Sequence, residues 1–154
     1  MRSIVYLSDP LMLGLHAIGE IVKNPDKALT TKDIATILGT NEPHLAKVLQ
    51  RLRQGKIIKS QRGPGGGYVL NCDPAQVAMT QVFQVLGGAF EQYQCEMLSC
   101  NGKNCVISQM VGELEQACYR YLAQKNLKDF ATSYESGREV SIEVSVVPHT
   151  NKEN

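Results

Sequence analysis

The chain has 154 residues, 43% of them hydrophobic, and a net charge of +1, which suits one domain or a small domain with an appendage. No apolar run approaches the ~18 residues that a membrane span needs, and the first twenty residues lack a basic stretch followed by a small-residue cleavage site. Five cysteines, an odd number in a chain without an export signal, argue against a disulfide framework and for a reducing cytoplasm.

Asp9-Pro10 reads as an N-cap with proline at the first helical position, and Leu11, Leu15, Ile18 and Val22 follow at helical spacing until Asn24-Pro25. Thr30-Thr31-Lys32-Asp33 resembles a capping box ahead of Ile34, Ile37 and Leu38, with Gly39 as the C-cap. After a turn at Thr40-Asn41 a third helix begins. It has Pro43 in its first turn, an apolar stripe of Leu45, Val48, Leu49 and Leu52, and Gly55 at its end. Two short helices joined by a glycine-containing turn, the second one basic, form a helix-turn-helix pattern.

Charge follows the same division. Residues 1–70 hold ten Lys/Arg against five Asp/Glu (+5), and residues 71–154 hold six against ten (−4). Lys47, Arg51, Arg53, Lys56, Lys59 and Arg62 form a run without an acidic residue. Such a run is often only a solvated face, but beside a helix-turn-helix it points to nucleic acid.

Ile57-Ile58-Lys59-Ser60 and Tyr68-Val69-Leu70 read as strands flanking Arg62-Gly63-Pro64-Gly65-Gly66-Gly67. The glycines are not a phosphate cradle, because no Gly-Lys-Ser/Thr is present and a strand follows instead of a helix. A wing suits the segment: small residues let the backbone approach a DNA minor groove and Arg62 enters its negative potential. An ordinary glycine-rich turn also fits the segment taken alone.

Residues 74–79 read as a connector, and Thr80 as the cap of a short helix carrying Val82, Phe83, Val85 and Leu86, broken at Gly87-Gly88. Cys95, Cys100 and Cys105 then recur at one fixed interval among Ser99, Asn101, Gly102, Lys103 and Asn104. Three thiolates make a soft-metal site that is one ligand short, and iron–sulfur, zinc and redox-thiol chemistry all remain open on that spacing. Cys118 reads as a small core residue, and Cys72 carries no functional signal.

From Val106 onward, Ile107, Met110, Val111, Leu114, Ala117, Cys118 and Tyr121 recur at three- and four-residue steps, a long amphipathic helix. So small a monomer has little core left to cover that face, which makes it a dimer helix; folding back on its own domain is the alternative. Val140, Ile142, Val144 and Val146 alternate with polar residues, as an edge strand or a tail would. No paired carboxylates, Ser-His-Asp order or nucleotide motif is present, so the chain does not read as an enzyme.

The order of helix-turn-helix, RGPGGGYVL wing and three clustered cysteines resembles the IscR/NsrR-type iron–sulfur regulators, the winged-helix family also called Rrf-two, over roughly residues 1–130. The resemblance implies a mainly α fold. A winged helix-turn-helix DNA-binding region occupies 1–72, a cluster-binding loop and long C-terminal dimerisation helix 73–130, and a tail or edge strand 131–154. It implies a cytoplasmic homodimer, with no membrane or small-molecule substrate. The implied dimer would be a sequence-specific repressor on a palindromic double-stranded operator, with an affinity that responds to redox, nitric oxide or iron–sulfur status.

By the same resemblance Asn41, Glu42, His44 and Lys47 reach base edges in the major groove. Arg51 and Lys56 contact phosphates, and Arg62, Gly63, Pro64, Gly65 and Gly66 form the wing. The resemblance also implies that Cys95, Cys100 and Cys105 ligate an iron–sulfur cluster. The spacing is one residue shorter than the commonest family pattern and leaves the nuclearity open, with [4Fe-4S] slightly favoured over [2Fe-2S]. IscR-like members place a histidine ligand where this chain has Ser108, whereas NsrR-like members use an aspartate of the opposite subunit that matches Asp9. Asp9 also suits a plain helix cap, and His16, read as a core or interface residue, is the next ligand candidate. A cluster-independent repressor with redox thiols or a zinc site is the alternative.

Overall fold

The computed structural model describes residues 7–87 and 105–136. Helix α1 spans Asp9–Lys23 and buries Leu11, Leu15 and Ile18 of the face read from its spacing, together with Ala17 and Ile21, while Val22 of that face is half-buried. Its cap is Ser8 rather than Asp9. Asp9 is the first helical residue, so Pro10 falls at the second position, where its missing N–H is still one of the orphans of the first turn.

Helix α2 (Thr31–Leu38) starts at the expected capping box: Asp33 N–H donates to Thr30 Oγ1 at 3.1 Å, and Thr30 N–H to Asp33 Oδ2 at 2.9 Å. The Thr30 bonds hold the Asp33 carboxyl below its ordinary value. Gly39, left-handed at φ +62°, ends the helix. Ile34 is buried, but Ile37, assigned to the same apolar stripe, is exposed.

Helix α3 (Glu42–Gln54) is capped by Asn41 Oδ1, which accepts from His44 N–H at 3.4 Å, and buries Leu45, Val48, Leu49 and Leu52. It packs on both α1 and α2, so its apolar stripe is spent on the core and its polar face is left outward.

Strands β1 (Ile58–Gln61) and β2 (Gly67–Leu70) pair antiparallel, with Ile58 opposite Leu70 and Gln61 opposite Gly67. Leu29 adds a bridge to Tyr68 through a pair of backbone bonds of 3.1 and 2.8 Å, fastening the wing base to the start of α2. At the tip Gly63 and Gly65 have φ of +101° and +74°, which L side chains adopt only with strain.

Helix α4 (Met79–Val85) begins one residue before the expected cap Thr80, after Ala78. The displacement follows from a bridge between Ala78 and Asn126: Met79 N–H bonds Lys125 O at 3.0 Å and Leu127 N–H bonds Val77 O at 2.9 Å. Helix α5 spans Val106–Ala123 and helix α6 spans Leu127–Ser136. Periodicity did not reveal α6, which runs through residue 131 where the sequence reading starts a tail. It packs on α1 and buries Leu127 and Ala131. The alternating stretch from Val140 to Val146 lies outside the described residues. Among the described residues no helix is long and apolar enough to cross a membrane.

Candidate functional site

One face of α3 and the wing carry the candidate DNA-contacting groups. Asn41, Glu42, His44, Lys47 and Lys56 are all exposed, as are Arg62, Gly63, Pro64 and Gly65; Gly66 is partly covered. The fold places the first four on the N-terminal part of α3, where no core contact competes for them. Asn41 is only half available, because its Oδ1 caps the helix. Lys56 takes a left-handed φ of +59°, which turns the chain from α3 into β1.

Arg51 differs from its neighbours. It is exposed, yet its Nη1 donates to Leu86 O at 3.5 Å, across to the end of α4. The family resemblance implies a phosphate for this guanidinium; the fold gives it an internal partner that helical spacing alone does not reveal.

Of the three clustered cysteines, Cys105 is described, and Cys95 and Cys100 lie outside the described residues. Cys105 is partly buried at the N-cap of α5. The unpaired N–H groups of an 18-residue helix start attract negative charge, which suits an anionic thiolate or a cluster held by thiolates. One turn later the Ser108 Oγ is buried without a hydrogen-bond partner. A cysteine at a helix start is a donor whose thiolate form fits a thiolate-bound anionic group. Among the described residues no three His, Cys, Asp or Glu side chains converge as a complete metal site.

Asp9 is exposed at the first position of α1. His16 is exposed as well, not in the core of the chain, with its ring centroid 5.6 Å from that of Tyr134. Along α5 only Leu122 is buried; Ile107 (56% exposed), Met110 (45%), Leu114 (45%) and Tyr121 (65%) keep the apolar face open. Cys118, expected in a core, is exposed with them.

The profile of the Rrf2 family, described as iron-dependent transcriptional regulators, matches residues 7–133. The chain belongs to the Rrf2 family. It is therefore a transcriptional regulator rather than an enzyme, with the winged-helix architecture described above. It is 40% identical over 76 residues to the HTH-type transcriptional regulator BadM of Rhodopseudomonas palustris, a match covering 49% of each chain. Thus it spans about half the length of that relative. It is 32% identical over 104 residues to the HTH-type transcriptional regulator NsrR of Bacillus subtilis, covering 66% of this chain and 70% of that one. In fold it is similar to CymR, the global cysteine regulator of B. subtilis. That likeness has a TM-score of 0.72 at 23% identity, over 84% of this chain and 98% of the other.

Proposed function

We propose that this Rrf2 chain is an iron–sulfur-dependent repressor that binds a palindromic DNA operator as a cytoplasmic homodimer. Cys95, Cys100 and Cys105, with Asp9 of the partner subunit, would hold the cluster. The observation that carries this reading is the position of Cys105. It stands at the N-cap position of a helix whose apolar face is uncovered in the single chain, so the candidate sensor and the candidate dimer seam share one element. The NsrR and Rrf2 likenesses support the same reading.

In the DNA complex Asn41, Glu42, His44 and Lys47 face base edges in the major groove. Lys56 meets phosphate, and Arg62 with Gly63 to Gly66 enters the minor groove. The pairing of two α5 helices sets the spacing of the two reading helices, which must match half-sites about one DNA turn, or a multiple, apart.

When bound, the cluster supplies a centre reactive to oxygen and nitric oxide; a carboxylate is a hard, exchangeable ligand beside three soft thiolates. Asp9 sits at the start of α1, and α1 packs on α3. Holding Asp9 to the other subunit's cysteines therefore restrains the reading helix, and releasing it removes the restraint. A loss of a few kcal/mol of contacts is enough to empty an operator.

Anaerobic purification with an absorption spectrum and iron and sulfide analysis tests the reading, followed by DNA affinity before and after nitric oxide. A brown, sulfide-containing protein whose affinity changes with nitric oxide supports it. A colourless protein whose affinity follows thiol oxidation or zinc would establish the cluster-independent alternative.

A further inference from the structure

The C-terminal end of α4 is wedged between the first and third helices. Leu86, buried at 1% exposure, fills a slot on α1 that exists because residue 14 is glycine: a Cβ there would overlap the Leu86 side chain. Val85 sits over Gly55, the C-cap of α3, where a Cβ would overlap its Cγ2. Arg51 then reaches from the last turn of α3 to the Leu86 carbonyl at 3.5 Å. That carbonyl lies at the negative end of α4, where a cation is favoured. Gly87 follows at φ +97°, and a Cβ on it would stand 3.6 Å from Arg51 Nη1.

These contacts meet where the chain enters residues 88–104, the segment carrying Cys95 and Cys100. We infer that Arg51 is a positioning residue that ties the entry to the cysteine segment, through the Leu86 carbonyl, to the reading helix of the same subunit. A displacement of Leu86 and Val85 is passed on to α3, because Val85 packs directly on Gly55 with no side chain between them and the Leu86 carbonyl holds Arg51. This route lies within one subunit and is separate from the Asp9 tie between subunits. It rests on the proposed sensor role of the cysteines.

The alternative role of Arg51, a phosphate contact, makes a different expectation. Losing a phosphate contact weakens all DNA binding and lowers the salt slope by about one. Losing a positioning contact leaves the slope alone and erases the difference between sensor states.

The test uses full-length dimer, cluster-loaded or stripped of iron by a chelator, and a palindromic duplex selected by the wild-type protein from a random-sequence library. Affinity is read by fluorescence anisotropy across a salt series. Arg51→Gln is expected to keep the salt slope while the ratio of affinities of the two forms falls toward one. Gly55→Ala is expected to reduce the same ratio, and adding Val85→Ala to restore it, which a general loss of stability would not do. If Arg51→Gln keeps the wild-type ratio and lowers the slope, the inference is overturned and Arg51 is a phosphate contact. If the wild-type forms bind equally, the sensor reading itself fails and this inference with it.

Discussion

The ring of Tyr134 occupies the space over Gly19 where any side chain would stand: a Cβ on Gly19 would meet the ring at 2.7 Å. Its hydroxyl donates to Glu20 Oε1 at 2.8 Å, and Lys23 Nζ lies 4.2 Å from its centroid. Phe130 stacks beside it at 5.9 Å. This contact fastens α6 to α1, the helix that presents Asp9.

Gly19→Ala is therefore expected to destabilise the protein by about 1–3 kcal/mol through overpacking, despite the roughly 1 kcal/mol gain in helix propensity. Urea denaturation measures it. Tyr134→Ala combined with Gly19→Ala should cost less than the two variants separately, because the residues compete for one space.

Acid should weaken the start of α2. The Thr30 hydrogen bonds lower the Asp33 carboxyl from its ordinary 3.8, so in the acid range the unfolded chain binds the proton more readily than the folded one. The contribution of Asp33 is complete above 3.8 and is lost as pH falls through the folded value. Urea midpoints of wild type and Asp33→Ala should converge over that window, whereas Thr30→Ala, which lacks the cap, should cost about 1 kcal/mol at neutral pH.

Leu114→Glu places a charge on the open face of α5, where the side chain has 45% exposure in the single chain. The chain should keep its helical content by circular dichroism. A dimer held through this face should dissociate roughly 30-fold more readily, as truncation of an interface hot spot does. Light scattering across a dilution series reads the change; an unaltered dimer would place the interface elsewhere.

Asp9→Asn separates capping from ligation. Because Ser8 holds the N-cap position and Asp9 the first helical one, the substitution removes a first-turn negative charge, worth about 0.3–1 kcal/mol, and keeps an oxygen acceptor in its place. Cluster lifetime in air should nonetheless shorten and the absorption spectrum change. A variant with the wild-type spectrum and lifetime would remove Asp9 from the ligand set.

The N-terminal elements are legible in the amino-acid order because their signals are local. Thr30 with Asp33, Asn41 with His44, and the glycines of the wing each act within a few residues, through hydrogen bonds or φ constraints that do not depend on the rest of the chain. A similar signal, Asn126 with Asp129, marks the start of α6: each backbone N–H donates to the other's side chain, at 2.9 and 3.0 Å. That pair was available in the sequence but was masked by the weak apolar pattern that follows it.

What the sequence by itself determined is the winged helix-turn-helix order, the cysteine spacing and the apolar stripe of α5. These depend on residue identity at short separation. Tertiary packing alone decided three other things: Arg51 turns to the Leu86 carbonyl, Tyr134 closes on Gly19, and His16 and Cys118 stay exposed. Each is set by which distant element arrives at the residue. Helical period names the face a side chain occupies, but what meets that face is a property of the assembled fold.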